Sequence, residues 1–389
     1  MKKLSVFMLA MAAAAIFAGD VAVNGFITGR WRTREKNAFE TTAQKSVKIN
    51  APKGQVNFEG KQYPLDNGKD INKCYEGISF EVKGDGSNEW GTIGVNECNK
   101  TAGQFYFPLK NTDWKEYRVA FADMAPASDH TLGLPAQMPV MKICYFTLGD
   151  RWKITWTNAK RPGFSYEIRN VKLIEKIPAT FKRGVVKARP LADVVKEMKA
   201  GKETLITCFG DSITAGTALR KGNKRYAVLL GEQLVKKFGN KNIKTECVAV
   251  GGAHTYDSIA WLDRDLSKGK PAVATMLIGY NNRSSAQTAE LYRAQLEMWI
   301  ERLLAKTEGK TAVILIPSVQ GVPRWFAQDD MAAVTYEVAK KYNCTVCPLD
   351  KVVGKIGPVD YRAKFLADGI HPNQAGHQIF ADELVKCFK

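Results

Sequence analysis

A chain of 389 residues is long enough for two or three domains, each burying its own core. Hydrophobic residues at 45%, aromatics at 10% and charged residues at 25% are globular proportions, which excludes disordered, collagenous, coiled-coil and small disulfide-scaffold classes. Lys+Arg 57 against Asp+Glu 39 leaves a net charge of +18, for which nucleic acid is the first partner to weigh.

Met1-Lys2-Lys3, an apolar run over 4–18 and small residues at Ala15, Ala18 and Gly19 have the pattern of a secretory leader spanning residues 1–18. A membrane anchor needs about 20 apolar residues; Asp20 ends this run earlier, and no later segment is long enough to span a bilayer. The expected location is therefore secreted or periplasmic. Of eight cysteines, Cys74, Cys98 and Cys144 fall in the first half and five in the second, so odd counts on both sides argue against a tidy disulfide framework. Cys344-Thr-Val-Cys347 has CxxC spacing but no second pair, and it sits in a strand-like run where residues three apart face opposite ways. Structural cysteines are expected there.

Residues 19–180 read as strands. Ile78, Phe80 and Val82 alternate with Ser79, Glu81 and Lys83, and Tyr117, Val119 and Phe121 alternate with Arg118 and Ala120. Similar runs recur at 105–109, 143–148, 152–156 and 166–173, separated by turn clusters such as 84–88 and 111–113. Many short strands with polar turns predict an all-β sandwich of jelly-roll type. Trp31, Trp90, Trp114, Trp152 and Trp156 lie in this half; Trp152 and Trp156, four apart, would share one strand face, either filling the core or stacking on sugar.

A linker with a first helix is expected over 181–202, and from 203 to 389 the period changes. Short apolar runs at 205–209, 247–250, 273–278, 312–316 and 345–349 suit buried parallel strands. Between them, Tyr226, Leu230, Leu234 and Phe238 make one helical stripe and Tyr292, Leu296, Trp299, Ile300 and Leu303 another; Phe380, Leu384 and Phe388 make a last one. Strand alternating with helix five times predicts a three-layer α/β/α sandwich on a five-stranded parallel sheet. Ligands in such a sheet bind beyond the carboxyl ends of the strands, which is where chemistry is to be sought.

The first strand end carries Gly210-Asp211-Ser212-Ile213, a serine between a strand and a helix start whose amides could face a developing oxyanion, or simply a helix cap. The second carries Gly251-Gly252-Ala253-His254, the third Gly279-Tyr280-Asn281-Asn282, and near the C-terminus stands Asp368-Gly369-Ile370-His371. A serine nucleophile needs a general base, and an imidazole base needs a partner that fixes its tautomer. Among four histidines (His130, His254, His371, His377), only His371 has a carboxylate at the expected place. None has metal-ligand spacing, and phosphate-cradling and dinucleotide glycine signatures are absent, so no metal and no cofactor is expected. His254, beside the glycine loop, and Tyr280 are candidate substrate contacts.

Gly210-Asp211-Ser212-Ile213, the Gly251-Gly252 loop, Gly279-x-Asn281 and Asp368-x-x-His371, in that order at those strand ends, resemble the four blocks of the SGNH (GDSL) hydrolases over about residues 190–389. The resemblance implies Ser212 as nucleophile, His371 as base and then acid, and Asp368 as its orienting partner. It implies oxyanion donors in the Ser212 amide, the Gly252 amide, with Gly251 as the alternative, and the Asn281 side chain. Two positions depart from the family pattern. Asn282 stands where the third block usually has aspartate, and Val248-Ala249-Val250 replaces the asparagine that usually precedes the glycines.

The β-rich half is similar in texture to jelly-roll carbohydrate-binding modules, through Val23-Asn24-Gly25, through Trp114 to Asp123, and through its closing run at 166–174. Together the two resemblances imply an exported serine esterase that removes acyl groups, acetyl foremost, from a carbohydrate or polysaccharide. Alternatives are a lipase, lysophospholipase or thioesterase on the same fold, or a non-catalytic carbohydrate-binding surface protein. Export leaves little place for nucleic acid. Residues 181–389, with 32 basic and 21 acidic side chains, then suit either a scattered lysine-rich surface or attraction to an anionic polysaccharide.

Overall fold

The computed structural model describes residues 21–23, 26, 31, 38–51, 60–61, 73–97, 102–149, 163–181, 184 and 186–389. The leader at 1–18 and the Trp152/Trp156 pair lie outside the described residues.

The period-2 stretches of the first half form two antiparallel sheets. In spatial order, one runs Phe39–Thr41, Val47–Ala51, Phe164–Ile174, Gly77–Gly84 and Lys115–Ala120, with Val21–Ala22 also paired to Phe164–Ile174. The other runs Ala125–Pro126, Ala102–Pro108, Trp90–Glu97, Ile143–Gly149 and Gly60–Lys61. Alternation places Ile78, Phe80 and Val82 of the first sheet in one core with Ile93, Val95, Phe107, Phe146 and Leu148 of the second. Trp31 and Phe39 stack at its margin, and the Arg169 guanidinium covers the ring of Trp114. Cys144 is disulfide-bonded.

The second half is a five-stranded parallel sheet flanked by helices. Its strands, in chain order, are Thr204–Gly210, Ile243–Cys247, Val273–Leu277, Ala312–Ile316 and Thr345–Val346, and their spatial order is 2-1-3-4-5. Ile206, Cys208 and Ile314 face helices Leu191–Lys199, Tyr226–Phe238 and Gln374–Val385, while Phe209, Met276, Val313 and Leu315 face Ala289–Lys306 and Asp329–Tyr342. Both sides of the sheet are therefore buried, as continuous apolar strands require.

Two strands differ from the sequence expectation. The second occupies Ile243–Cys247 rather than 247–250, because it is an edge strand: only Ile243 is buried, so no apolar run marks it. The last stops at Val346, and Pro348 directly precedes the helix Leu349–Ile356. Cys344 and Cys347 are free thiols; burial pushes Cys344 up to about 12, and a hydrogen bond with Cys387, reinforced by burial, raises Cys347.

The two halves pack closely. The Arg302 guanidinium donates to the carbonyls of Asp123, Ala122 and Met124, and Tyr106 meets Trp261 edge to face beside Val250 and Ala253. The order 2-1-3-4-5 reverses direction between the first and third strands, which opens a crevice at their carboxyl ends.

Candidate active site

The first strand delivers Ser212 into that crevice. Gly210 permits the close approach: a Cβ there would lie 2.2 Å from Thr214 Oγ1 and 2.5 Å from the Leu277 carbonyl. Asp211 caps the short helix Ser212–Ala215 by accepting the Ile213 amide at 3.0 Å. Asp211 is buried, and that burial pushes its carboxyl up to about 6, against the opposing pull of the Ile213 amide and of His371 and His254.

His371 and Asp368 arrive on a loop clasped at its base. Leu366 bridges Pro372, and the Ala367 amide donates to the His371 carbonyl at 2.8 Å. The next helix, Gln374–Val385, is capped by Asn373, whose Oδ1 accepts the Gly376 amide. Ser212 Oγ lies 3.0 Å from His371 Nε2, and His371 Nδ1 lies 2.7 Å from Asp368 Oδ2. Asp368 Oδ1 accepts the amides of His371 at 2.8 Å and Ile370 at 3.0 Å. Desolvation works to raise the Asp368 pKa, but these amide bonds and the imidazole outweigh it and hold the carboxyl below its ordinary value. The carboxylate thus stays charged where it faces the ring.

The remaining strand ends close the crevice. The glycine loop follows the second strand, with Gly252 at φ +74°, in the left-handed region that only glycine enters freely. Asn281 sits in the short helix Tyr280–Ser284; its Nδ2 donates to the Ala253 carbonyl at 3.1 Å and lies 3.4 Å from Asp211 Oδ2. Ser212, the glycine loop and Asn281 therefore converge through Asp211 and Ala253.

The two candidate substrate contacts are engaged within the protein. Tyr280 is buried with its ring against Gly321, where a Cβ would fall 2.7 Å from it. His254 Nε2 is 3.3 Å from Asp129 Oδ2 and 3.0 Å from Ser285 Oγ. Of the other histidines, His130 is exposed. His377 is fully buried, accepts the Tyr226 amide on Nδ1, and is pushed down to about 4 by burial and the nearby charges of Arg225 and His371. Asp129 was invisible to motif reading because it belongs to the antiparallel half, more than 120 residues from the glycine loop. Among the described residues no group of three or more His, Cys, Asp or Glu could hold a metal ion, and no helix is long and apolar enough to cross a membrane.

Residues 208–379 match the GDSL-like lipase/acylhydrolase family. Among solved structures, the chain is similar to an alpha/beta hydrolase enzyme from the metagenome of Lake Arreo, Spain, at 22% identity and TM-score 0.41, covering 49% of this chain and 97% of that one. It is similar to a GDSL-like lipase of Parabacteroides merdae at 20% identity and TM-score 0.43, covering 48% and 96%. It is similar to an acetylxylan esterase of Geobacillus stearothermophilus at 19% identity and TM-score 0.42, covering 49% and 96%. No curated protein matches the chain. The second half carries a GDSL-like lipase/acylhydrolase domain, and the protein is an ester-bond hydrolase.

Proposed function

We propose that this ester-bond hydrolase is an exported serine esterase that removes short acyl groups, acetyl foremost, from a carbohydrate or polysaccharide. The observation that carries the reading is the continuous hydrogen-bonding line from Ser212 Oγ through the His371 ring to Asp368, at 3.0 and 2.7 Å. Ser212 Oγ attacks the ester carbonyl as its proton passes to His371 Nε2. The imidazolium, facing the Asp368 carboxylate, then gives that proton to the departing alcohol oxygen. An acyl-Ser212 ester remains. Water attacks it, again losing a proton to His371, and the tetrahedral intermediate releases the acid as the proton returns to Ser212. Negative charge developing on the carbonyl oxygen is met by the amides of Ser212 and Gly252 and by the Asn281 amide group.

Export accounts for the leader pattern at 1–18 and suits the disulfide at Cys144, since such bonds persist in oxidising compartments. We read residues 19–180 as a jelly-roll of carbohydrate-binding type, 181–202 as linker and first helix, and 203–389 as the hydrolase domain. The antiparallel half supports a polymeric substrate because its Asp129 reaches His254 beside the glycine loop, which sets that half next to the catalytic crevice. The basic excess of residues 181–389 favours an acylated polymer with acidic groups.

Ser212→Ala, assayed on 4-nitrophenyl acetate and on acetylated xylan, pectin and mannan, is expected to stay folded and to lose about 10⁴-fold or more in kcat. An unchanged rate would sink the mechanism. A parent enzyme that prefers long acyl chains and frees no acetate from any polymer would move the assignment to a lipase.

A further inference from the structure

We infer that Asp129, on the antiparallel half, is a positioning residue for ester hydrolysis: it holds His254, and through His254 the loop that presents the Gly252 amide. The inference rests on the role of that loop proposed above and adds that the site is completed only when the two halves are packed together.

Asp129 is 8% exposed, and its Oδ2 lies 3.3 Å from His254 Nε2. Ser285 Oγ is 3.0 Å from the same nitrogen. On the other edge of the ring, Asp257 Oδ2 is 3.5 Å from Nδ1 and accepts the His254 amide at 3.0 Å. Tyr256 stacks on the ring at 5.4 Å. His254 is thus held at Nε2 by Asp129 and Ser285, faced by Asp257 at Nδ1 and stacked on Tyr256, and its position bears on that of its neighbours in the chain. Ala253, the preceding residue, accepts the Asn281 amide group, and Gly252 precedes Ala253. A shift of the imidazole would move both candidate oxyanion donors together.

The loop bearing Asp129 is gripped a second time, independently. Gln287 Nε2 donates to the Asp129 carbonyl at 2.9 Å, and Gln295 Nε2 donates to the carbonyls of Ser128 at 3.1 Å and Thr131 at 3.0 Å. Asn282 Nδ2 donates to Gln287 Oε1 at 2.7 Å, and Thr255 Oγ1 lies 3.4 Å from Asn282 Oδ1. Thr255, Asn282, Gln287 and Gln295 are all fully buried, so their polar atoms need protein partners. The 128–131 backbone supplies the last of these. Asn282 adjoins Asn281 and Thr255 adjoins His254, so this chain of amides sets the same two donors from behind.

The charges agree with the geometry. Burial pushes the Asp129 carboxyl up to about 6, with His254 pulling against it. Burial also opposes a charge on His254, but Asp257, Asp129 and Asp211 outweigh it and raise the imidazole pKa. Asp129 is buried and the His254 side chain is only 14% exposed, and a pair so largely removed from water is costly to leave half-made.

The test compares the full-length parent with Asp129→Asn, His254→Gln, the double variant and Ser212→Ala on 4-nitrophenyl acetate. For the parent, Asp129→Asn, His254→Gln and the double variant, each kcat is expressed per site titrated by a serine-reactive fluorophosphonate, so that unfolded protein does not count; Ser212→Ala, which has no serine to titrate, is normalised to folded protein by circular dichroism. Misplacing a reacting group by about 1 Å costs up to about 100-fold. The expected result is a 10- to 100-fold fall in kcat for Asp129→Asn with KM within about threefold, and a double variant no worse than His254→Gln alone. A kcat for Asp129→Asn within twofold of the parent, or losses that multiply in the double variant, would overturn the inference while a dead Ser212→Ala upholds the site itself. An active Ser212→Ala would remove the site reading, and this inference with it.

Discussion

At the scale of single residues, the carboxylate that faces His371 and the one that precedes Ser212 in the chain are tuned in opposite directions. Asp368 is held charged by amides and the imidazole, whereas Asp211 is buried without a full counter-charge and is pushed up to about 6. The Asp211 value in the folded chain stands above the ordinary 3.8, so folding takes up a proton between those limits, and stability falls as pH rises through the window. Asp211→Asn keeps an acceptor for the Ile213 amide and removes the charge. It is expected to exceed the parent in stability by on the order of 2 kcal/mol at pH 8, the gap closing below about pH 4, as urea unfolding at the two pH values would show. Ser212, Asp368 and His371 were legible in sequence because each needs a short local pattern. Histidines are also scarce enough for one of them to stand out. Asp211 was legible only as part of a motif, since its burial and its contact with Asn281 arise in the folded chain.

At the scale of elements, the loops after the strands carry the chemistry, and their positions follow from the parallel order 2-1-3-4-5. Three of the five strands, Thr204–Gly210, Val273–Leu277 and Ala312–Ile316, coincide with apolar runs because both sheet faces are covered. The edge strand Ile243–Cys247 escapes that signature, since an edge can afford Lys244 and Glu246. The departure at Asn282 also finds its reason here. Its amide group donates to Gln287, which in turn reaches the Asp129 carbonyl, so a carboxylate at 282 would break a buried chain of donors. Asn282→Asp is therefore expected to destabilise the protein by about 2–4 kcal/mol at pH 8. The loss should shrink near pH 5 as the carboxyl becomes protonated and can donate again, an effect measurable by thermal melts across that range.

At the scale of the whole molecule, the antiparallel half and the hydrolase half share one polar interface through Arg302, Gln287, Gln295 and the Asp129–His254 pair. The net charge of +18 acts at this scale too, because many lysines and arginines act together over distances longer than any single contact. If the substrate is an acidic acylated polymer, kcat/KM on it should fall as salt rises from about 10 to 200 mM while the rate on a neutral acetylated polymer stays level. Equal salt dependence on both would refute the steering. From sequence alone followed the strand-rich first half, the parallel α/β second half, and the serine, histidine and aspartate at its strand ends, since hydrophobic period and short motifs are local properties of the chain. Only the tertiary structure decided that His254 is held by a carboxylate from the other half, that Tyr280 is packed away, and that Asn282 anchors an interface. Those outcomes depend on which distant backbone fills each buried partner's place, and no local spacing encodes that.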